Sequence, residues 1–137
     1  GEISFPGGRM DGDDGTLLRT ALRETHEEIG VRPEDVEVLG ELDDVATRSR
    51  YRVSPFVGTI PEGYRFTPNA REVAEVIEVP LAALGRGDAV RHEVRMVDGR
   101  PVQFRCYAYD GDVIWGATAT MLQRFLSDVA AELGLDH

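Results

Sequence analysis

The sequence predicts an α/β layered sandwich with a mixed β-sheet. Two segments repeat apolar residues with the period of an amphipathic helix, and several short segments rich in β-branched residues are interleaved with them. The helices are predicted at Leu17–Ile29 and Ala117–Leu133. The strands are predicted at about Val36–Leu42, Tyr51–Ile60, Val73–Val79, Val90–Val97, Pro101–Tyr109 and Val113–Trp115.

Each helix has one apolar face and recognisable ends. In the first helix, apolar or small side chains recur at helical spacing, with Gly30 just past the last turn and Pro33 closing off continuation. In the second helix, the apolar stripe is typical of core packing. The stripe consists of Met121, Leu122, Phe125, Leu126, Val129 and Leu133.

Turn residues define the remaining connections. The pair Asp98-Gly99 predicts a tight hairpin between Val90–Val97 and Pro101–Tyr109, because Asp-Gly suits the left-handed conformations that such turns require. A short helical turn is predicted at Leu81–Leu84.

Composition bounds the class of protein. The chain has 137 residues and is 42% hydrophobic, enough for one domain spanning residues 1–137 around a single core. Its net charge of −10 argues against a nucleic-acid partner, which would require clustered positive charge. Since no apolar run reaches the roughly 20 residues of a membrane span, and no signal-peptide pattern opens the chain, we expect a cytoplasmic protein without a membrane partner. The single cysteine, Cys106, is expected to be a buried small hydrophobe.

The most informative stretch of the chain is a row of glutamates in the first helix. Glu24, Glu27 and Glu28 stand at i, i+3 and i+4, so their side chains emerge within one arc of the helix. Like charges at this spacing oppose helix formation, and a bound cation would reverse that effect. Mg²⁺ prefers oxygen ligands, which predicts a divalent-metal site. The alternative is a solvated acidic face, which an acidic chain forms by chance.

The loop before this helix favours the metal site. Pro6-Gly7-Gly8 allows the backbone to approach a ligand closely, and Arg9 directly after it is a candidate for phosphate contact. Arg23, four residues before Glu27, is placed to hold that glutamate. A glycine loop leading into a carboxylate helix is what a diphosphate-and-metal site needs.

These residues resemble the signature of the Nudix hydrolases, which cleave nucleoside diphosphates linked to another moiety. The second half of that signature, Arg-Glu-x-x-Glu-Glu-x-Gly, is complete and runs from Arg23 to Gly30. The first half departs from it, because Asp14 stands where a glutamate is general and the following spacer is one residue longer.

The resemblance implies a Nudix-type α/β/α sandwich with a mixed β-sheet, in which the carboxylate helix is the Nudix-box helix. It also implies Mg²⁺ or Mn²⁺ as cofactor. Glu24 and Glu28 are the first-rank metal ligands, and Glu27 is a third ligand or the general base. Glu72 matches the place of a second catalytic or metal-linked glutamate, with Glu75 as a weaker rival and an ordinary charge at a strand start as the alternative.

Three segments resemble the coenzyme A pyrophosphatase branch of the family. They are Gly1–Gly8, Tyr51–Pro61 and Ile114–Ala119. The branch implies hydrolysis of coenzyme A to 3′,5′-ADP and 4′-phosphopantetheine, with Arg52, and Arg48 and Arg50 before it, as candidates for the 3′-phosphate. Strands that normally precede the Gly-Gly loop are missing, so we expect a domain lacking its N-terminal strands.

Two other functions stay open. One is a Nudix hydrolase for ADP-ribose, NADH or a nucleoside triphosphate, and the other is a non-catalytic domain of Nudix type that binds a nucleotide. In every case the expected partner is a small-molecule nucleotide. A homodimer is a further expectation from the family.

Overall fold

The computed structural model describes residues 2–47, 51–84 and 89–128, which form two compact units. The first unit contains residues 5–41 and 54–77, and the second contains the described residues among 2–4, 42–53 and 78–128. In chain order the elements are α1 (Leu17–Ile29), β1 (Glu37–Glu41), β2 (Val45–Ala46), β3 (Arg52–Val53), β4 (Phe56–Thr59), α2 (Leu81–Leu84), β5 (Val90–Val97), β6 (Arg100–Tyr109), β7 (Asp112–Ile114) and α3 (Gly116–Asp128).

Helix α1 has the bounds that the sequence predicts. The side chain of Thr16 caps its start by accepting a hydrogen bond from the Arg19 N–H at 3.2 Å. Gly30 ends it with φ 78°, and its N–H bonds the His26 carbonyl. Glycine adopts this left-handed conformation without the strain that a side chain brings, so the predicted end of the helix is confirmed.

A loop of the first unit is fastened to the end of α1. The N–H groups of Thr67 and Asn69 donate to the carbonyls of Ile29 and Glu28, at 2.9 and 2.8 Å. These carbonyls belong to the last turn of the helix, where the helix itself supplies no partner. Asn69 also begins a turn, in which its carbonyl accepts a hydrogen bond of 2.9 Å from the N–H of Glu72. The loop therefore holds a fixed position beside the carboxylate helix.

The predicted strand at Val73–Val79 is wrong. This described segment contains no strand, and its partly buried positions are 73, 76, 77 and 79. A strand in a half-buried sheet would bury every second residue, and this spacing does not alternate. The β-branched composition of the segment predicted a strand that its spacing does not support.

The predicted strand at Tyr51–Ile60 is two short strands instead. β3 pairs with β2 in the second unit, whereas β4 pairs with β1 in the first, both antiparallel. Pro55 lies between β3 and β4. Because proline has no N–H to donate, it interrupts a continuous ladder.

The second unit is built on an antiparallel meander of β5, β6 and β7. The turn at Asp98-Gly99 has φ 50° and 78°, which confirms the predicted hairpin. A second turn of the same kind, at Asp110-Gly111 with φ 49° and 83°, joins β6 to β7. The pairings between described strands are all antiparallel, so the parallel part of the predicted mixed sheet is not among them.

Helices α2 and α3 pack on this meander. The predicted helical turn at Leu81–Leu84 is confirmed as α2, and α3 begins at Gly116, one residue before its predicted start. The rest of the predicted second helix, to Leu133, lies outside the described residues. The buried cluster consists of Leu84, Tyr107, Ile114, Ala119, Leu122 and Leu126.

The combination of helices and sheets confirms the predicted α/β class. Cys106 is buried, as expected. None of the helices in the described ranges has the length and apolar character needed to cross a membrane.

Candidate active site

Both glycines of the predicted loop meet a glutamate of α1. The Gly7 N–H donates a hydrogen bond of 2.8 Å to Oε2 of Glu28. A Cβ atom added at Gly8 would lie 2.6 Å from Cδ of Glu24 and 2.8 Å from each of its carboxylate oxygens. The loop backbone therefore lies against the two carboxylates that the sequence ranks first as metal ligands.

The two glycines have different roles. An added Cβ at Gly7 would meet nothing within 4 Å, so the loop uses the N–H of this residue, which any residue except proline supplies. At Gly8, by contrast, a side chain would occupy the space of the Glu24 carboxylate. The sequence predicts the close approach of the loop, and the structure assigns the steric requirement to Gly8.

Arg23 ties the glutamates of the helix together. Its Nη1 donates to Oε1 of Glu24 at 2.9 Å and to Oε2 of Glu27 at 3.1 Å. The predicted contact between Arg23 and Glu27 is therefore present. Nη2 also donates to the Arg9 carbonyl at 3.2 Å, which joins the helix to the loop after Gly8.

Asp14 is the site residue whose role the sequence analysis missed. It is 7% exposed, and its two carboxylate oxygens accept from Nε and Nη2 of Arg23 at 2.8 and 3.0 Å. The Thr20 hydroxyl and the Asp11 N–H each donate to Oδ2 at 2.8 Å. Hydrogen bonding to Arg23, followed by that to Asp11, holds the pKa of Asp14 well below its usual range.

A signal for this role was present in the sequence. Thr20 and Arg23 lie at i and i+3 on α1, so both can reach the same partner before the helix, and Asp14 is the acidic residue at the signature's first glutamate position. The shorter aspartate keeps the bond to arginine. The hydrogen bonds to Asp14 also raise the pKa of Arg23, so this guanidinium stays charged.

The carboxyl group of Glu28 is affected by the charges of neighbouring carboxylates. Burial raises the pKa of this carboxyl first, and the charges of Glu24, Glu72 and Glu27 raise it further, against the opposing effect of the Gly7 hydrogen bond. The charges of three other carboxylates therefore act on Glu28, which the glycine loop contacts through the Gly7 N–H.

The turn that begins at Asn69 accounts for the presence of Glu72. The Asn69 N–H bonds the Glu28 carbonyl, and the Asn69 carbonyl accepts from the Glu72 N–H. Glu72 thus belongs to the carboxylate cluster although the strand expected to carry it does not form. Its rival Glu75 is exposed and lies three residues further along the chain, beyond this turn.

The donor set suits a hard divalent cation. It consists of carboxylate oxygens, of which those of Glu24 and Glu27 pair with Arg23. Across residues 2–47, 51–84 and 89–128, no three acidic, histidine or cysteine side chains converge as a ready metal cage. Mg²⁺ is usually held by one or two carboxylates together with waters and substrate phosphates, so an open row of glutamates fits it.

The arginines predicted to contact the substrate lie in different parts of the structure. Arg9 meets the site through its carbonyl, as described above. Arg52 lies exposed in β3 of the second unit, so it is not one of the side chains that the first unit brings together. Arg48 and Arg50 lie outside the described residues, as does Gly1 at the start of the branch motif.

Known proteins are similar to most of this chain. The model of the NUDIX domain matches residues 1–99, which include the glycine loop, α1 and Glu72. The chain is also 37% identical over 133 residues to a protein of Yersinia pestis (strain Pestoides F) and to one of Yersinia pseudotuberculosis serotype O:1b. Both are described as an uncharacterized Nudix hydrolase, NudL.

The family model matches the part of the chain that holds the glycine loop and the arginine-braced carboxylate helix. The chain belongs to the Nudix family. Each match covers 95% of this chain, and the chain spans 65% of the length of these relatives.

Proposed function

We propose that this protein hydrolyses a diphosphate linkage in a nucleoside diphosphate derivative, with the help of Mg²⁺ or Mn²⁺. The observation that carries the proposal is the contact of the Gly7-Gly8 backbone with the carboxylates of Glu28 and Glu24. This contact joins a loop that can approach phosphates to side chains that can hold a cation.

The arrangement suggests a division of labour among the glutamates. Glu24 and Glu28 would hold the cation, because both lie against the loop. Glu27 is 54% exposed and fixed by Arg23, so it can serve as a third ligand or as a base. When bound, Mg²⁺ or Mn²⁺ would neutralise charge on the phosphoryl oxygens and acidify a water molecule.

Glu72 is the preferred candidate for the general base. Its carboxylate belongs to the cluster around Glu28, yet it comes from a different segment and so can face the substrate from another side. Arg23 acts as a positioning residue, since its bonds to Asp14 on one side and to Glu24 and Glu27 on the other fix the carboxylates in place.

The proposed substrate is coenzyme A, cleaved to 3′,5′-ADP and 4′-phosphopantetheine. Support comes from the resemblance of Gly1–Gly8, Tyr51–Pro61 and Ile114–Ala119 to the coenzyme A pyrophosphatase branch. The proposed contact of Arg52 with the 3′-phosphate rests on charge complementarity alone.

A hydrolysis panel tests the reaction and the substrate together. Coenzyme A, dephospho-coenzyme A, ADP-ribose, NADH and 8-oxo-dGTP are each incubated with Mg²⁺ or Mn²⁺, and products are identified by mass. We expect preferential release of 3′,5′-ADP from coenzyme A. Faster cleavage of another compound would retain the proposed reaction and replace the substrate. If none of the five compounds is hydrolysed with either metal, the proposed reaction and the proposed substrate are both contradicted.

The panel also separates the enzyme from a domain that only binds nucleotides. A binding domain would be stabilised thermally by one of these ligands without turning it over. The intact set of Glu24, Glu27 and Glu28 favours the enzyme, because a domain that only binds nucleotides would be free to lose it.

A matched pair of variants tests the base. We expect Glu72→Gln to lower kcat by about 10²- to 10⁴-fold, the usual contribution of a general base. Glu75→Gln makes the same chemical change three residues away and should leave kcat within about twofold, because Glu75 is exposed and lies beyond the turn that Asn69 begins. An equal loss in both variants would remove Glu72 from this role.

A further inference from the structure

The outer strand of the meander, β5, carries an unusual exposed surface. Val94 and Met96 are 68% and 67% exposed, which are the highest values among the exposed large hydrophobic residues. Among the described strands β5 pairs with β6 alone, so its other edge forms no ladder with any of them. An eight-residue edge strand with exposed apolar side chains is a ready template for pairing with another chain.

The backbone of this edge can be assigned from the hairpin register. The Ala108 N–H donates to the Ala89 carbonyl, so residue 89 directs its backbone groups toward β6. Strand geometry alternates, and residues 91, 93, 95 and 97 do the same. The backbone groups of Val90, His92, Val94 and Met96 therefore point outward along the edge.

The charged residues of β5 are complementary to a second copy of the same strand. Arg91, Glu93 and Arg95 alternate in sign along one face of the strand, and Arg95 bonds Glu93 at 2.9 Å within the chain. Consider an antiparallel copy of β5 placed on this edge with the two-fold axis at Val94. Glu93 then opposes Arg95 of the other copy, and Arg95 opposes its Glu93, which makes two reciprocal ion pairs.

The same register also uses the apolar side chains and the backbone. Val94 meets Val94 of the second copy, and Met96 lies opposite His92, all at positions whose backbone groups point outward. Registers centred on Glu93 or Arg95 would place like charges opposite each other. A register centred on His92 would leave Met96 without a partner from the paired strand, although it would join Arg91 to Glu93.

We propose that β5 is a self-complementary dimer edge, which pairs antiparallel with β5 of a second copy of this chain about an axis at Val94. The surface is distinct from the carboxylate cluster and does not depend on the proposed activity. Arg95 also lies over the Trp115 ring, 5.0 Å from its centroid, which limits the positions that its guanidinium can take.

Charge reversal tests the register. The oligomeric state is measured by sedimentation velocity from about 1 µM to about 100 µM, a range that covers ordinary dimer affinities. We expect a dimer for the parent chain. Glu93→Arg and Arg95→Glu each place like charges across both symmetric pairs and should weaken dimerisation by about tenfold or more.

Mixing these two variants supplies the decisive result. In the mixed dimer each Arg opposes a Glu again, so association should return although neither variant associates alone. Arg91→Glu is the matched control, because Arg91 opposes Val97 in this register and its reversal should leave the dimer intact. Circular dichroism confirms that each variant is folded.

Cross-linking tests whether the two-fold axis of the dimer lies at Val94. Val94→Cys should form a disulfide with its own counterpart under mild oxidation, since paired residues in a ladder lie at a suitable separation. Native Cys106 is buried, and the parent chain should not cross-link. A monomeric parent chain at all concentrations would overturn the proposal, as would a dimer insensitive to the reversals or one cross-linked only by His92→Cys.

Discussion

At the scale of single residues, the candidate site depends on how closely a backbone can approach a carboxylate. Gly8 and Gly7 are adjacent and chemically identical, yet only Gly8 has a carboxylate in the space that a side chain would fill. The sequence shows the two glycines but cannot show this difference, which depends on the path of the loop over α1.

A pair of alanine variants measures that difference. Gly8→Ala should displace the Glu24 carboxylate and lower kcat/KM by about a hundredfold, because a shift of about 1 Å at a reacting centre has an effect of that size. The fold should persist, since the displaced group is the end of a flexible side chain. Gly7→Ala keeps its N–H and should retain near-parental activity; a comparable loss in both variants would contradict the account.

Asp14 makes the stability of the fold depend on pH. Its folded pKa is lowered, chiefly by hydrogen bonding to Arg23, so its contribution is present above the unfolded pKa of about 3.9 and is lost as the pH falls toward the folded value. We expect Asp14→Asn to melt below the parent chain at pH 7. The gap between the two melting temperatures should shrink between about pH 4 and pH 2, whereas a constant gap would disprove this role.

At the scale of elements, the sequence predicted best where a local rule decides the structure. Helix α1 and the β5–β6 hairpin were predicted because a glycine ends the one and an Asp-Gly turn closes the other. The prediction of a strand from Val73 to Val79 failed because the composition favours a strand, whereas the buried positions of this described segment do not alternate. The turn that brings Glu72 to Glu28 depends on bonds to the end of α1, which no local pattern records.

The end of α1 offers a test of such a contact. A Cβ atom at Gly30 would be strained by φ 78° and would lie 3.1 Å from the backbone nitrogen of Thr67, which bonds the Ile29 carbonyl. Gly63 has nearly the same φ of 74° and open space around it. We expect Gly63→Ala to cost about 1 kcal/mol in the free energy of unfolding and Gly30→Ala at least about 2 kcal/mol.

Chemical denaturation provides the two values. Equal losses would mean that the strained backbone alone matters and that the loop does not need the close approach to the helix end. A larger loss at Gly30, accompanied by lower activity, is the result expected if this loop also positions Glu72.

At the scale of the whole molecule, the sequence predicted the class and the carboxylate row better than the packing. The class follows from the alternation of helices and strands, and the carboxylate row follows from helix geometry, so both can be read from spacing. The sequence shows Asp14 only as a departure from a signature, because its role depends on a buried contact with Arg23. Contacts of this kind follow only from the fold.

The core of the second unit should show ordinary packing energetics. Leu122 is 5% exposed within the cluster between α3 and the meander. Leu122→Ala should lower the free energy of unfolding by about 2–5 kcal/mol. Leu17→Ala, at a leucine that is 49% exposed, should change it by less than about 0.5 kcal/mol. Similar losses at both sites would contradict the assignment of the core.

The most direct test of the central claim is the Mg²⁺-dependent initial rate of coenzyme A hydrolysis by the parent chain and by Glu28→Gln. The substitution keeps the shape of the side chain and its bond from Gly7 but removes the charge that would hold a cation. The account predicts metal-dependent release of 3′,5′-ADP by the parent chain and a loss of about a hundredfold or more in the variant. Turnover that persists in Glu28→Gln, or that needs no divalent metal, would contradict it.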